Sequence, residues 1–201
     1  MHRTPGQRRG ESPQERRERR AGIDNPDVVL NAAARFLEVR SRSVDEVRRH
    51  LTRAGYRAEM AERAVARLIE LGMLDDASFA RTWVESRDRA RPRSETALRR
   101  ELALKGIDRE LAAEVLGARR TGAATSGRGD GDEVGDGPDM TAAERLLSRR
   151  GSALARISDP RQRRQRAYSL LARNGFDPDV CREATNRFLT SAQDPANESE
   201  A

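Results

Sequence analysis

Apolar residues recur along this chain at intervals of three and four, in short blocks separated by Gly, Pro and small polar residues. That spacing predicts amphipathic α-helices. Val29, Ala33, Phe36 and Leu37 share one face of a first helix, Val44, Val47, Leu51 and Ala54 a second, and Ala61, Ala64, Val65, Leu68 and Ile69 a third. The pattern continues through Phe79, Ala80, Trp83 and Val84, then Leu98 and Leu102, then Leu111, Val115 and Leu116. Helix starts are marked where Asn25-Pro26, Asp159-Pro160 and Asp177-Pro178 place a capping side chain before a Pro at the first helical position. Ser43-x-x-Glu46 and Thr141-x-x-Glu144 read as capping boxes, and Ser94 and Asp108 as further N-caps. Helix stops are Gly followed by an apolar residue: Gly55-Tyr56, Gly72-Met73, Gly106-Ile107 and Gly175-Phe176. Nine helices are predicted, at about 27–40, 43–54, 58–71, 76–90, 94–105, 108–119, 141–156, 160–174 and 178–189. None is apolar all round, so each needs neighbours.

One helix end occurs three times: Leu51-x-x-x-Gly55-Tyr56, Leu102-x-x-x-Gly106-Ile107 and Leu171-x-x-x-Gly175-Phe176. Each follows a basic helix and precedes another helix start, which defines three copies of a three-helix unit. The expected fold is all-α: three tandem three-helix repeats in an elongated, curved array with helices packed near right angles. The domain boundaries follow: a basic arm without structure at 1–24, repeats at 25–74, 75–120 and 140–190, a flexible acidic Gly-rich insertion at 121–139, and a frayed tail at 191–201. Six Gly and five acids in the insertion leave little to pack, so cutting it down to a short linker is expected to spare the fold.

Composition narrows the chemistry. Aromatic residues make up 3% of the chain and charged residues 36%, and no apolar run approaches the ~18 residues of a membrane span, so neither a β-sandwich nor a membrane protein is expected. One Cys and two His exclude a disulfide framework, a multi-cysteine zinc site and a histidine-based catalytic cluster. The N-terminal stretch lacks an apolar signal-peptide core, which together with the single Cys predicts a cytoplasmic protein. Of the 39 basic residues all but Lys105 are Arg, and the net charge is +6. The arm carries seven Arg against four acids, whereas the insertion carries five acids against Arg128 alone, so the helical core is strongly basic. A polyanion or an acidic protein face is the expected partner. Asp130 and Asp132 begin like a calcium loop, but Val134 and Thr141 stand where ligands are needed.

Most single residues have an ordinary structural reading. Asp75-Asp76 reads as a helix cap rather than a catalytic pair, Trp83 and Phe79 as packing between the first two repeats, Cys181 as core, and His50 as exposed. The basic middle helices are the candidate site. Arg48, Arg49 and Arg53, then Arg99, Arg100 and Lys105, then Arg163, Arg164, Arg166 and Arg173 flank the apolar stripe in successive repeats. Aligned along an array they would form a positive strip facing phosphates or an acidic partner.

Several segments resemble the RecX family of bacterial regulatory proteins: Ala33-Arg35-Phe36-Leu37 with Arg42-Ser43 and Glu46-Val47, and Leu68-x-x-x-Gly72-Met73-Leu74-Asp75-Asp76-x-x-Phe79-Ala80. To these are added Leu98-x-x-Glu101-Leu102-x-x-Lys105-Gly106-Ile107 and Arg166-Ala167-Tyr168-x-Leu170-Leu171-Ala172-Arg173-x-Gly175-Phe176. The resemblance spans about residues 28–190 and implies three tandem three-helix repeats. It also implies a non-enzymatic regulator, monomeric and without cofactor, that binds RecA and the RecA–single-stranded DNA filament. Such a regulator modulates, mostly inhibiting, the ATPase, recombinase and coprotease activities of RecA in DNA repair and the SOS response, with weak direct DNA binding as a further property. No GxxxxGK[ST] phosphate loop is present. The competing reading is a helix-turn-helix transcriptional regulator, which would carry one reading helix per protomer rather than three basic helices.

Overall fold

The computed structural model describes residues 11–126 and 137–191; the ends of the predicted arm and tail, and 127–136 of the predicted insertion, lie outside these. Every regular element among the described residues is helical. The chain forms two compact units, Met1–Phe79 and Ala80–Ala201.

The first unit contains α1 (Pro13–Ala21), α2 (Pro26–Glu38), α3 (Val44–Ala54) and α4 (Ala58–Glu70), and ends in the first turn of α5 (Asp76–Ala90). Val29, Ala33, Val47, Leu51, Met60, Ala61, Ala64, Val65, Leu68 and Leu74 form its core, with Phe36, Leu37 and Tyr56 packed around them. The predicted stripes of α2, α3 and α4 thus meet one another. Asn25 and Ser43 cap α2 and α3 as their sequence implies, and Ser43 with Glu46 closes the capping box.

The second unit holds the rest of α5, α6 (Glu95–Leu104), α7 (Arg109–Ser126), α8 (Pro138–Ser148), α9 (Gly151–Ala155), α10 (Pro160–Arg173) and α11 (Pro178–Ser191). Leu98, Leu102, Val115 and Leu116 are buried on α6 and α7. Ala142, Ala143, Leu146, Leu147, Leu154, Ala167, Leu171, Phe176, Cys181 and Ala184 form the core of the last four helices. Cys181 is a fully buried packing residue, as expected.

The four predicted stops all hold. Gly55, Gly72, Gly106 and Gly175 have φ of 104°, 68°, 77° and 86°, and the next residue's N–H reaches back to the carbonyl of Leu51, Leu68, Leu102 or Leu171. Only a residue without Cβ takes this conformation without cost.

Three boundaries differ from the sequence reading. Residues 13–21 are helical rather than an unstructured arm: Ser12 and Glu15 form a complete capping box and Pro13 sits at the first helical position. Helix α7 runs on to Ser126, and α8 begins at Pro138 instead of at a Thr141 box, so 127–137 lie between them. The predicted helix at 141–156 is two, α8 and α9, broken at Arg149-Arg150.

Candidate functional site

The middle helix of each repeat (α3, α6 and α10) is positioned by its cap, its buried leucine and its left-handed Gly, and on this frame the ten predicted basic residues separate by task. Arg48 pairs with Glu62 on α4 and Arg49 with Asp45 one turn back. Arg99 pairs with Glu95 at 2.7 Å, and Arg120 of α7 holds the other oxygen of that carboxylate at 2.7 Å. Although burial works the other way, these two guanidiniums keep the Glu95 carboxyl below its usual range. Arg163 donates through Nε and Nη2 to the Ile157 carbonyl (3.0 and 2.8 Å), and Arg164 donates to Asn186 Oδ1 at 2.7 Å.

Lys105 lies 4.7 Å from the centre of the Trp83 ring, and Arg87 lies 4.3 Å from it. The Trp83 indole N–H donates to Glu101 Oε2 at 3.0 Å, and Arg87 Nε donates to the same oxygen at 2.6 Å. These residues form a polar network inside the second repeat. Arg53, Arg100, Arg166 and Arg173 are exposed, and no hydrogen bond or ion pair engages their side chains among the described residues.

Counting from the left-handed Gly sharpens the comparison between repeats. Arg49 and Arg100 both lie six residues before it, where the third repeat has Ser169, and Arg53 and Arg173 both lie two before it, where the second repeat has Leu104. Leu104 is 75% exposed. Helix α10 also starts one turn earlier in this register than α3 or α6, which places Arg163 and Arg164 opposite Ser43-Val44 and Ser94-Glu95 rather than opposite Arg48-Arg49. The basic residues recur in each repeat, but only part of them recur at equivalent positions.

A pair of carboxylates carries structure that spacing alone does not show. Asp75 caps α5 by accepting the Ala77 N–H at 2.9 Å, which agrees with its ordinary reading. Asp76 reaches back and accepts the Val44 N–H, the first of α3, at 2.9 Å. Asp139, at the start of α8, does the same for α6: its two oxygens lie 2.9 and 3.1 Å from the Glu95 N–H. In each case the opening helix of one repeat caps the middle helix of the repeat before it. Burial pushes the Asp76 and Asp139 carboxyls above their ordinary values, opposed by these N–H donors.

Asp139 also accepts from Arg119 (3.1 Å), which is 8% exposed and binds Asp88 through two further donors, both at 2.9 Å. Because Asp139 lies within the insertion as predicted, removing the whole of 121–139 would strip this junction. Asp139, placed by the sequence reading in the insertion, is therefore part of this junction. His50 also differs from its expected exposure: its ring stacks on Phe36 at 3.8 Å between centroids and 4° between planes. Burial, then Arg42 and Arg20, hold its pKa below the usual histidine value.

No group of three or more His, Cys, Asp or Glu able to hold a metal occurs among the described residues, and no described helix is long and apolar enough to cross a membrane. Comparison with known proteins agrees with the repeat architecture. The model of the first three-helix domain of RecX matches residues 30–68, and that of the second matches residues 75–116. The Regulatory protein RecX of Prosthecochloris aestuarii is 30% identical over 167 residues, covering 81% of this chain and 95% of that protein. That of Amycolatopsis mediterranei is 33% identical over 141 residues, covering 70% and 71%. Among solved structures, RecX from Lactobacillus salivarius superposes with a TM-score of 0.58 at 19% identity, covering 83% of this chain and 98% of that one. With both three-helix domains matched and about a third of residues shared over most of its length with curated relatives, the chain belongs to the RecX family of regulatory proteins.

Proposed function

We propose that this protein is a non-enzymatic regulator that binds RecA and its single-stranded DNA filament and lowers the activities of that filament. The observation that carries the reading is the family membership, established over both three-helix domains and most of the chain's length. The side chains support it in a physical sense. Every middle helix keeps at least one exposed guanidinium with no side-chain partner among the described residues: Arg53 on α3, Arg100 on α6, and Arg166 and Arg173 on α10. Such cations meet carboxylates or phosphates at little desolvation cost and set association rate and register more than raw affinity. The chain needs no nucleotide chemistry of its own for this role, and its sequence has no phosphate loop.

The test is co-sedimentation with RecA filaments assembled on single-stranded DNA, comparing the natural protein with the double variant Arg100→Glu, Arg173→Glu. Both positions are exposed, so the fold should be unchanged within about 0.5 kcal/mol. Binding should weaken by about tenfold or more if each charge-assisted contact contributes its usual amount. Equal binding of the double variant would move the interface away from the middle helices.

A further inference from the structure

Helix α1 leans on the end of α3 through polar and backbone contacts. Arg17 Nε donates to Arg53 O at 3.2 Å and Arg20 Nη1 donates to Ala54 O at 3.1 Å, so two guanidiniums cover the carbonyl end of α3. That end carries the negative pole of its helix, which favours cations. Beside these bonds the backbones nearly touch: a Cβ on Gly55 would lie 2.7 Å from Arg17 Cα and 2.9 Å from Arg17 O. The Arg20 guanidinium also lies 5.6 Å from the centre of the Tyr56 ring.

What α1 lacks is a buried face. Arg20 is half-buried and every other residue of the helix is exposed, so the apolar burial that joins α2, α3 and α4 contributes little to its docking. Its ends are closed by its own groups. Ser12 and Glu15 form the capping box, Arg19 pairs with Glu11, and the Gly22 N–H returns to the Arg20 and Glu18 carbonyls. Lifting α1 away therefore leaves neither of its ends unsatisfied. The residues just beyond it are anchored instead, Ile23 against the core of the unit and Asp24 on Arg57, which puts a pivot at Gly22. In the second unit the equivalent Gly175 is met by the start of α6, a helix fixed by the fully buried Leu98 and Leu102. Helix α1 fills the corresponding place on α3 without any such anchor.

We propose that α1 is a hinged lid on the first unit, pivoting at Gly22 between a closed state on the end of α3 and an open state. With the lid open, the Arg53 and Ala54 carbonyls, the Gly55 backbone and the Tyr56 ring form a docking face for an arginine-bearing helix of a partner. The chemistry of that partner is set by what fills the face in the closed state. Guanidinium donors meet the carbonyls, and a helix backbone approaches a residue that has no Cβ. The closed lid weakens the binding of any such helix in proportion to the fraction of molecules that are open. Helix α1 lies outside residues 30–68, the region matched by the first three-helix domain, so the lid belongs to this chain's own N-terminal segment. It does not depend on the RecA reading, and its test contains no RecA.

The experiment is amide hydrogen exchange of the full-length protein read by mass spectrometry, comparing the natural chain with the double variant Arg17→Ala, Arg20→Ala. A lid requires the α1 amides to exchange about tenfold or more faster than those of α3, yet more slowly than in a synthetic peptide of residues 11–23. The double variant should speed α1 exchange by about a further tenfold, the usual effect of losing a bond from a charged donor. Exchange in α2, α3 and α4 and the urea midpoint should stay as they are. The same peptide serves as the partner helix in a second arm. Added at about 1 mM, the scale of a tethered segment's effective concentration, it should shift the Gly55 and Tyr56 amide signals in NMR spectra of the double variant. It should shift them less in the natural protein, where α1 already holds the place. Exchange of α1 no faster than that of α3 would make it an integral part of the fold and overturn the lid. Exchange at the rate of the free peptide in the natural protein would overturn the closed state. Unmoved Gly55 and Tyr56 signals in the double variant would overturn the docking face.

Discussion

Gly55 and Gly175 close equivalent helices in the same left-handed conformation, yet different things lean on them. A Cβ on Gly175 would sit 3.0 Å from both Ala97 Cβ and Ser94 Oγ, so the end of α10 is pressed against the start of α6. Ser94 there caps its own helix and donates to the Gly175 carbonyl at 2.7 Å, while Arg93 donates to Asn174 at 2.9 Å. A Cβ on Gly55 would instead lie 2.7 Å from Arg17 Cα, in the backbone of α1. One Gly therefore serves a junction between repeats, and the other serves a terminal helix that covers an end. The first contact is made by a repeat that cannot leave. The second is made by a polar helix held by guanidinium–carbonyl bonds, with no buried residue of its own.

The largest effect is expected at the junction itself. Arg119→Ala would leave the partly buried Asp88 and Asp139 without their shared cation, and breaking such a network costs up to about 3 kcal/mol. Urea denaturation should show it as a lower midpoint. Next comes the glycine pair. Gly175→Ala should cost about 2 kcal/mol, combining left-handed strain with the tight approach to α6. Gly55→Ala carries the same strain but should relieve its clash by releasing α1, giving a smaller loss of global stability together with faster tryptic cleavage at Arg16–Arg20. Equal losses, with α1 still protected, would erase the distinction between junction and cap.

The two reaching aspartates offer a finer separation. In Asp76→Asn the amide oxygen can still accept the Val44 N–H while a desolvated charge disappears, so stability at pH 7 should move by less than about 1 kcal/mol. Asp139→Asn also deprives Arg119 of a carboxylate and should cost more. The smallest effect concerns His50. Its folded pKa lies below the ordinary 6.5, so the unfolded chain takes up the proton first as pH falls. Stability should therefore decline as pH drops through about 6.5, and His50→Phe, which keeps a ring against Phe36, should flatten that part of the profile in urea midpoints.

How much of this is legible in the chain depends on the kind of interaction. The four left-handed glycines and the caps at Asn25, Ser43, Ser94 and Asp159 are local devices, written within one turn, and the sequence alone is enough to place them. Helix α1 has no apolar stripe, so periodicity does not reveal it, although the Ser12-Pro13-x-Glu15 capping signature is plain in the sequence. Asp139 sits in a Gly-rich acidic run whose composition suggests solvent. Its partners Glu95 and Arg119 are 44 and 20 residues away, beyond any local pattern. The basic strip is legible as residue types but not as availability. Which arginines are engaged by Glu62, Asp45 or the Ile157 carbonyl, and which remain free, is decided by tertiary packing.

The proposed role as a RecA regulator is tested most directly by the single-stranded-DNA-dependent ATPase of RecA, titrated with this protein from sub-stoichiometric to equimolar amounts at fixed salt. The expected result is a progressive fall in hydrolysis, with no hydrolysis by this protein alone. An ATPase rate unchanged across the whole range would contradict it.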